Sequence, residues 1–191
     1  MNRSFRQWLL LLIPLTALGL VGVIYWTSTT VENEVLSNSV KVTSNTDDIS
    51  SVSVWDRENE PDYLGIKDMI VYRSPSCGCC GVWVEHAKKH GFKVQDIKTE
   101  EMEALKQKYN IPIELASCHT AIIDGYVMEG HIPADDIKQF LQEKPEWDGL
   151  AVPGMPIGTP GMEAGDRKQP FQILAFNDRG GVEVFKEYQS Y

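Results

Sequence analysis

Three cysteines stand within four residues, in the segment Cys77-Gly78-Cys79-Cys80. Cys77 and Cys80 form a C-x-x-C pair, the spacing typical of thiol–disulfide exchange, and Cys79 adds a third thiol between them. The disulfide framework of a small secreted protein would instead distribute its cysteines along the chain. The spacing therefore predicts a chemically active site, and a purely structural disulfide or a set of buried thiols is the weaker alternative.

Thiolate sulfur is the donor that soft metal ions prefer, so the same cluster could also hold a metal. A helix that begins here would stabilise thiolates, because its first N–H groups and its dipole present positive charge. Three sulfurs favour Cu(I) over the oxygen-seeking ions Mg²⁺ and Ca²⁺, and zinc is the less favoured alternative. Covalent haem attachment is excluded, since it requires C-x-x-C-H and Gly81 follows Cys80.

The fourth cysteine and the four histidines are the other candidate ligands. Cys118 and His119 could add a thiolate and an imidazole, although hydrogen bonding to the backbone is an equally good role for His119. His131 is as consistent with an ordinary loop residue as with a ligand. His86 and His90 lie one helical turn apart, a spacing that can bind metal, but the two lysines between them predict a solvated helix face instead.

A long loop, residues 151–162, repeats Pro-Gly-Met and so contains Met155 and Met162. Loops of this length inside a compact domain are usually functional, and thioether sulfur is a soft ligand for Cu(I). The repeat therefore predicts that at least one of these methionines closes over the metal site. Simple packing of both side chains is the alternative.

Alternating strands and helices must position these residues. Short apolar runs between turn residues predict strands over 69–72, 92–97, 120–123, 126–128, 171–176 and 182–186. Helical spacing of apolar residues predicts helices over 82–90, 99–109 and 133–141.

The order β-α-β-α-β-β-α, with a hairpin turn at Asp124-Gly125, predicts a thioredoxin-like α/β fold, a mixed sheet flanked by helices. In that fold the C-x-x-C pair lies between the first strand and the first helix. The loop before the third strand then brings Cys118 towards this pair.

The N-terminal part of the chain has a different composition. Two arginines precede an apolar run of 19 residues, Trp8–Trp26, close to the ~20 residues that span a bilayer. Residues 1–26 are therefore expected to anchor the protein in the inner membrane with its domain in the periplasm. A cleaved signal peptide, which would leave the domain exported and soluble, is the alternative.

Residues 27–67 are rich in small polar and acidic side chains and predict a flexible, mostly disordered linker, followed by the metal-binding domain at 68–191.

The overall charge argues against binding to nucleic acid. The chain has 18 basic and 27 acidic residues, a net charge of -9. A nucleic-acid partner would require a basic stripe to displace counterions from the phosphates, and no run of Lys or Arg follows the first few residues.

Five motifs together resemble the CopG family of exported bacterial copper-binding proteins, long catalogued as a domain of unknown function. In the family's order, across residues 68–188, they are Tyr72–Cys80, Ser117–Thr120, Asp124–Tyr126, Glu129–His131 and Gly149–Pro156. The resemblance implies a thioredoxin-like fold, a role in copper handling or resistance, and the activity of a copper-dependent oxidoreductase. It also implies that the four cysteines hold copper, up to a multi-copper thiolate cluster. Members of the family commonly have a cleavable signal, so the expected anchor departs from their pattern.

Three functions stay open at this point. The first is a copper protein that binds Cu(I) and interconverts Cu(I) and Cu(II), with other exported copper-handling proteins as its partners. The expected metal ligands are Cys77, Cys79, Cys80, Cys118, His119, Met155 and Met162. The second is a thiol–disulfide oxidoreductase in which Cys77 attacks and Cys80 resolves, although the extra thiol of Cys79 invites scrambled disulfides. The third is a metal buffer without catalytic activity.

Overall fold

Seven strands and three α-helices form the part of the chain that the structure describes. The structure is a computed structural model that describes residues 53–56, 63–143 and 145–191. The elements are β1 (Asp68–Arg73), α1 (Gly78–Lys89), β2 (Lys93–Lys98), α2 (Met102–Lys108), β3 (His119–Ile123), β4 (Tyr126–Glu129), α3 (Ala134–Glu143), β5 (Gly149–Ala151), β6 (Phe171–Phe176) and β7 (Val182–Tyr188). Short 3-10 helices lie at Val54–Asp56 and Ile113–Leu115.

The strands form one mixed sheet in the order β2-β1-β3-β4-β5-β6-β7. The β1/β2 and β4/β5 pairs are parallel and the remaining pairs are antiparallel. The predicted α/β class and the predicted order of elements from β1 to α3 are therefore confirmed. Strand β5 was not predicted, because its three residues are buried on both sides and are too short to show an alternating pattern.

Helix α1 begins at Gly78, four residues before the predicted start. The segment before Val82 contains two glycines and three cysteines, so it lacks the apolar periodicity that marks a helix in a sequence. Cys77 is the N-cap, and Cys79 and Cys80 lie in the first turn. The cysteines therefore lie at the positive end of the helix dipole.

Apolar residues on both faces of the sheet form the core. Met69 and Val71 of β1 pack with Trp83 and Ala87 of α1 in the larger cluster, which also includes side chains of α3. A smaller cluster contains Val127, whose neighbour Met128 belongs to the larger one. Because successive strand residues point to opposite faces, the two clusters lie on opposite sides of the sheet.

Two segments of the predicted linker pack against the domain. Trp55 belongs to the core and donates a hydrogen bond from Nε1 to the carbonyl oxygen of Gly158 at 2.8 Å. Its ring meets those of Tyr188 and Tyr191 at centroid distances of 5.3 and 5.0 Å. Tyr63 is also buried. The folded body thus includes residues 53–56 and 63–67, and the rest of the predicted linker lies outside the described residues.

Within the described ranges, no helix is long and apolar enough to cross a membrane. The predicted anchor, Trp8–Trp26, lies outside these ranges.

The helix face that carries His86 and His90 is buried, and the expectation of a solvated face was wrong. Each of the two residues is only 6% exposed. His86 Nδ1 lies 3.4 Å from an oxygen of Asp56, and His90 Nδ1 lies 3.2 Å from an oxygen of Asp135 at the start of α3. The sequence could not show that the turn at Val54–Asp56 and helix α3 cover this face.

Asp56, His86 and His90 are close enough to share a metal ion, but their hydrogen bonds favour a different role. The backbone N–H of Ala134 donates to His86 Nε2 at 3.1 Å, which places the ring proton on Nδ1, facing Asp56. His86 therefore offers a proton, and no lone pair, on the side of Asp56. The cluster ties the turn at Val54–Asp56, helix α1 and helix α3 together.

The cluster predicts a pH-dependent stability. Burial, followed by the nearby His90, lowers the pKa of His86 from 6.5 to about 4. The unfolded chain therefore binds more protons between about pH 6.5 and pH 4, and the free energy of unfolding should fall as the pH falls through this window. The measurement is the urea midpoint at several pH values.

His86→Gln is the matched variant, because its amide oxygen can still accept the Ala134 N–H. We expect the free energy of unfolding of this variant to fall less steeply towards low pH than that of the wild type. At neutral pH it should be about 1 kcal/mol lower, because one hydrogen bond is weakened. The same pH profile in both proteins would contradict this role for His86.

Candidate metal centre

Strand register brings three separate segments of the chain to one end of the sheet. Arg73, the last residue of β1, pairs with His119, the first residue of β3. Thr120 pairs with Glu129 at the end of β4, and the Gly130 N–H donates to the His119 carbonyl oxygen at 2.9 Å. The cysteine segment after β1, the Cys118 loop before β3 and the segment after β4 therefore meet at this end.

The guanidinium of Arg73 is hydrogen-bonded to the start of the cysteine segment. It donates to the carbonyl oxygen of Cys77 at 3.2 Å and to both carboxylate oxygens of Asp96 at 2.8 and 2.7 Å. The pKa of Asp96 is lowered by the hydrogen bond from Arg73. This bidentate ion pair fixes the N-cap of α1 to strands β1 and β2.

The four cysteine sulfurs form one compact group. Cys77 and Cys80 are joined by a disulfide with their Cα atoms 5.4 Å apart, and Cys79 Sγ lies 3.5 Å from Cys77 Sγ. Cys80 Sγ lies 3.7 Å from the carbonyl oxygen of Cys118. All four sulfurs lie within 4.8 Å of one another, so the loop that carries Cys118 does approach the C-x-x-C pair.

A second group of potential ligands overlaps the first and lies deeper in the protein. It consists of Cys80, Cys118, His119 and His131, whose ligand atoms also lie within 4.8 Å of one another. Cys118 Sγ is 3.0 Å from His131 Nε2 and 3.6 Å from His119 Nδ1. The two groups share Cys80 and Cys118, so together they offer four sulfurs and two imidazoles.

His131 is the site residue that the sequence left undecided. Its Nδ1 lies 2.7 Å from the carbonyl oxygen of Pro160, which can only accept, so Nδ1 carries the proton. The lone pair of Nε2 then faces Cys118, and this backbone contact is the kind that orients histidine ligands of metals. Burial lowers the pKa of His131, which keeps the ring neutral and able to bind metal.

His119 is fully buried, and its ring packs against those of Trp83 and His131 at centroid distances of 4.4 and 4.9 Å. Burial, followed by the repulsion that a second protonated ring at His131 would cause, holds the pKa of His119 well below the usual range. Among the described residues, no hydrogen-bond partner faces its Nε2. A buried, unsatisfied ring nitrogen costs about 1–3 kcal/mol.

Burial also governs the protonation of Cys118. Desolvation, followed by the nearby charge of Cys79, raises the pKa of the Cys118 thiol to about 12. Metal binding to this sulfur therefore has to displace a proton. With two neutral imidazoles beside it, the donor set is suited to soft and borderline metal ions.

The Pro/Gly/Met loop contacts the site through its backbone. Pro160 supplies the acceptor for His131, and Gly161 packs against α1 at a positive φ of +82°. Met155 is 52% exposed and Met162 is partly buried. Metal ligation by either thioether stays a prediction.

Comparison with known proteins gives two kinds of match. Residues 115–162, which include Cys118, His119 and His131, match the family described as "Protein of unknown function, DUF411". A solved structure named "Copper resistance protein copG- Form 2" is 44% identical, with a TM-score of 0.61, and the match covers 63% of this chain and 97% of that chain. A second solved structure, named "Copper resistance protein copG- Form 1", is 42% identical, with a TM-score of 0.63, and the match covers 66% of this chain and 100% of that chain. No curated protein sequence matches significantly.

The fold and the site define a mixed α/β protein with a centre of four cysteine sulfurs and two buried imidazoles. Since the match spans nearly the whole of the chain in both solved structures at 42% identity or more, this chain belongs to the CopG family of copper resistance proteins. The resemblance seen in the sequence motifs is confirmed.

Gly161 provides a test of how the loop supports the site. A Cβ at this position would lie 2.8 Å from the Cys79 carbonyl oxygen and 2.9 Å from the Trp83 backbone nitrogen. Gly161→Ala should therefore displace the loop from α1, and with it the Pro160 carbonyl oxygen that orients His131. We expect Cu(I) affinity, measured by chelator competition, to fall together with the free energy of unfolding.

Gly180→Ala is the matched control. Gly180, in the turn between β6 and β7, also has a positive φ, +81°, but a Cβ at this position would meet no atom of the described residues within 4 Å beyond its chain neighbours. The substitution should cost about 1–2 kcal/mol from backbone strain alone and leave Cu(I) affinity unchanged. Gly161→Ala should cost about 1–3 kcal/mol more. Equal effects of the two variants on Cu(I) affinity would contradict the role of Gly161.

Proposed function

We propose that this protein binds copper in the buried centre and functions in copper handling or resistance. The observation that carries the proposal is the pair of overlapping ligand groups that share Cys80 and Cys118. The names of the two solved relatives support the choice of copper. The proposed ligands are Cys77, Cys79, Cys80, Cys118, His119 and His131, with Met155 and Met162 as further candidates.

The donor chemistry supports Cu(I) in particular. Thiolate sulfurs outnumber the imidazole nitrogens, and soft ligands of this kind select Cu(I). Zinc accepts the same donors in a closed tetrahedron and is the less favoured alternative. Because two cysteines belong to both groups, their sulfurs are suited to bridging, which supports a multi-copper thiolate cluster.

We infer that the domain is thioredoxin-like. The order β2-β1-β3-β4, with β1 parallel to β2 and antiparallel to β3, supports this, as does the C-x-x-C pair at the start of α1. Strands β5, β6 and β7 extend the sheet beyond β4.

A redox function is supported by the pairing of Cys77 and Cys80, which belong to the copper-ligand group and also form a disulfide. In the reaction we propose, two thiolates lose one electron each and form the S–S bond, and two Cu(II) ions that arrive as substrate become two Cu(I) ions. An external dithiol then restores the reduced pair. Thiol–disulfide exchange on other proteins and simple metal buffering are the alternatives.

We also propose that the apolar run Trp8–Trp26 anchors the chain in the inner membrane with its domain in the periplasm. The length of the run and the arginines before it support this. Resistance to alkaline carbonate extraction is the test, and recovery in the soluble fraction would favour a cleaved signal.

The overlap of the two ligand groups predicts unequal effects of cysteine removal. Cys118 belongs to both groups, whereas Cys79 belongs only to the sulfur group. Anaerobic Cu(I) titration of the reduced chain should therefore show a larger loss of bound copper in Cys118→Ser than in Cys79→Ser. X-ray absorption should report both sulfur and nitrogen ligands.

Failure of the reduced wild-type chain to bind Cu(I) would overturn the proposed function. Tighter binding of Zn²⁺ than of Cu(I) would favour the zinc alternative. Equal losses of copper in the two serine variants would argue against shared ligands.

The redox proposal predicts that the reduced chain converts Cu(II) to Cu(I) in a stoichiometric reaction. Two Cu(I) ions, trapped by a Cu(I)-selective chelator, should appear for each Cys77–Cys80 disulfide formed. Cys80→Ser should abolish this paired stoichiometry, because the resolving thiol is absent. Insulin reduction by metal-free protein, without Cu(II) reduction, would instead favour the thiol–disulfide exchange alternative.

A further inference from the structure

Glu129 is a completely buried carboxylate at the end of β4. Its Oε1 accepts the backbone N–H of Ser117 at 2.6 Å and is paired with the ammonium group of Lys106. Its Oε2 accepts the hydroxyl of Thr120 at 2.6 Å. Lys106 Nζ also donates to the Thr120 hydroxyl oxygen at 3.2 Å. Burying a carboxylate is costly, and this complete set of partners offsets the cost.

The partners of Glu129 stand on both sides of two proposed ligands. Ser117 precedes Cys118, and Thr120 follows His119. Since one carboxylate holds both flanking residues, the segment between them has little freedom to rotate or to withdraw from the site. Glu129 is also only two residues from His131, so the same strand end carries a third proposed ligand.

The strand ladder alone does not fix this segment. Thr120 is held by its pairing within the sheet, but Ser117 lies before β3, outside the ladder. The described hydrogen bond of the Ser117 amide goes to Glu129. Gly130, at a positive φ of +80°, allows this close approach, since a Cβ there would lie 2.5 Å from Ser117 Oγ. The carboxylate is thus one of the contacts that hold the loop just before Cys118.

We propose that Glu129 is a positioning residue of the metal centre, which sets Cys118 and His119 against His131, and that Lys106 neutralises its charge. The inference rests on the proposed metal-binding function. The carboxylate acts through the Ser117 amide and the Thr120 hydroxyl, and it needs no contact with metal.

A second buried carboxylate in the same protein provides a matched control. Asp136 of α3 is 1% exposed and, like Glu129, is paired with a lysine, Lys186, and a hydroxyl, that of Tyr188. Its described partners lie on β7, away from the proposed ligands. Glu129→Leu and Asp136→Leu should therefore both lower stability, but only Glu129→Leu should disturb the metal centre.

The test compares these two variants in the full 191-residue chain after anaerobic loading with Cu(I). We expect Glu129→Leu to weaken Cu(I) binding by about 10–100-fold in chelator competition and to change the thiolate-to-copper charge-transfer spectrum. Asp136→Leu should keep the wild-type affinity and spectrum. Glu129→Gln should recover most of the affinity, because its amide oxygen can still accept the Ser117 N–H.

Glu129→Asp covers the case in which Glu129→Leu does not fold. It keeps the charge but withdraws the carboxylate from Ser117, so it should alter the same spectrum. Wild-type affinity and spectrum in Glu129→Asp, or equal metal-binding losses in the two leucine variants, would overturn the positioning role. Failure of the wild-type chain to bind Cu(I) would instead overturn the proposed function itself.

Discussion

The pairing of β3 with β1 on one side and β4 on the other is the constraint on which the rest of the structure depends. It sets Arg73 beside His119 and Thr120 beside Glu129. A shift by one residue would turn the side chains of β3 to the opposite face of the sheet, because strand side chains alternate. The buried clusters on both faces resist such a shift, since it would remove residues such as Ala121 and Ile123 from the larger cluster.

Burial determines the chemical state of the ligands at this end of the sheet. His119 and His131 are kept neutral, so each ring has a lone pair, while the metal-free Cys118 stays a thiol. Because this environment disfavours charge, both imidazoles are already in the neutral form that can bind metal, whereas the Cys118 thiol would lose its proton only when a metal binds. The exposed side of the centre is different, because Cys77 and Cys79 are partly accessible to solvent.

Two ion pairs, each with one buried member, connect the site to the elements around it. Arg73 with Asp96 fixes the cysteine segment, and Lys106 with Glu129 fixes the Cys118 loop. Each of these pairs joins different strands or helices, so the arrangement depends on the completed fold. Such pairs add little net stability in general, but they specify one geometry because a displaced partner would leave a charge buried and unpaired.

The sequence alone determined the α/β class, the order of elements up to α3, the family and the cysteine cluster, because strand and helix periodicity and motif spacing are local properties. Only the tertiary structure decided that His131 joins the site and that His86 and His90 are buried, since the Pro160 carbonyl and the turn at Val54–Asp56 that surround them are distant in the chain. The start of α1 inside the cysteine segment was also hidden, because that segment lacks apolar periodicity. The three cysteines identified the chemistry and the predicted fold brought Cys118 and His119 towards them, whereas only the structure added His131 to the centre.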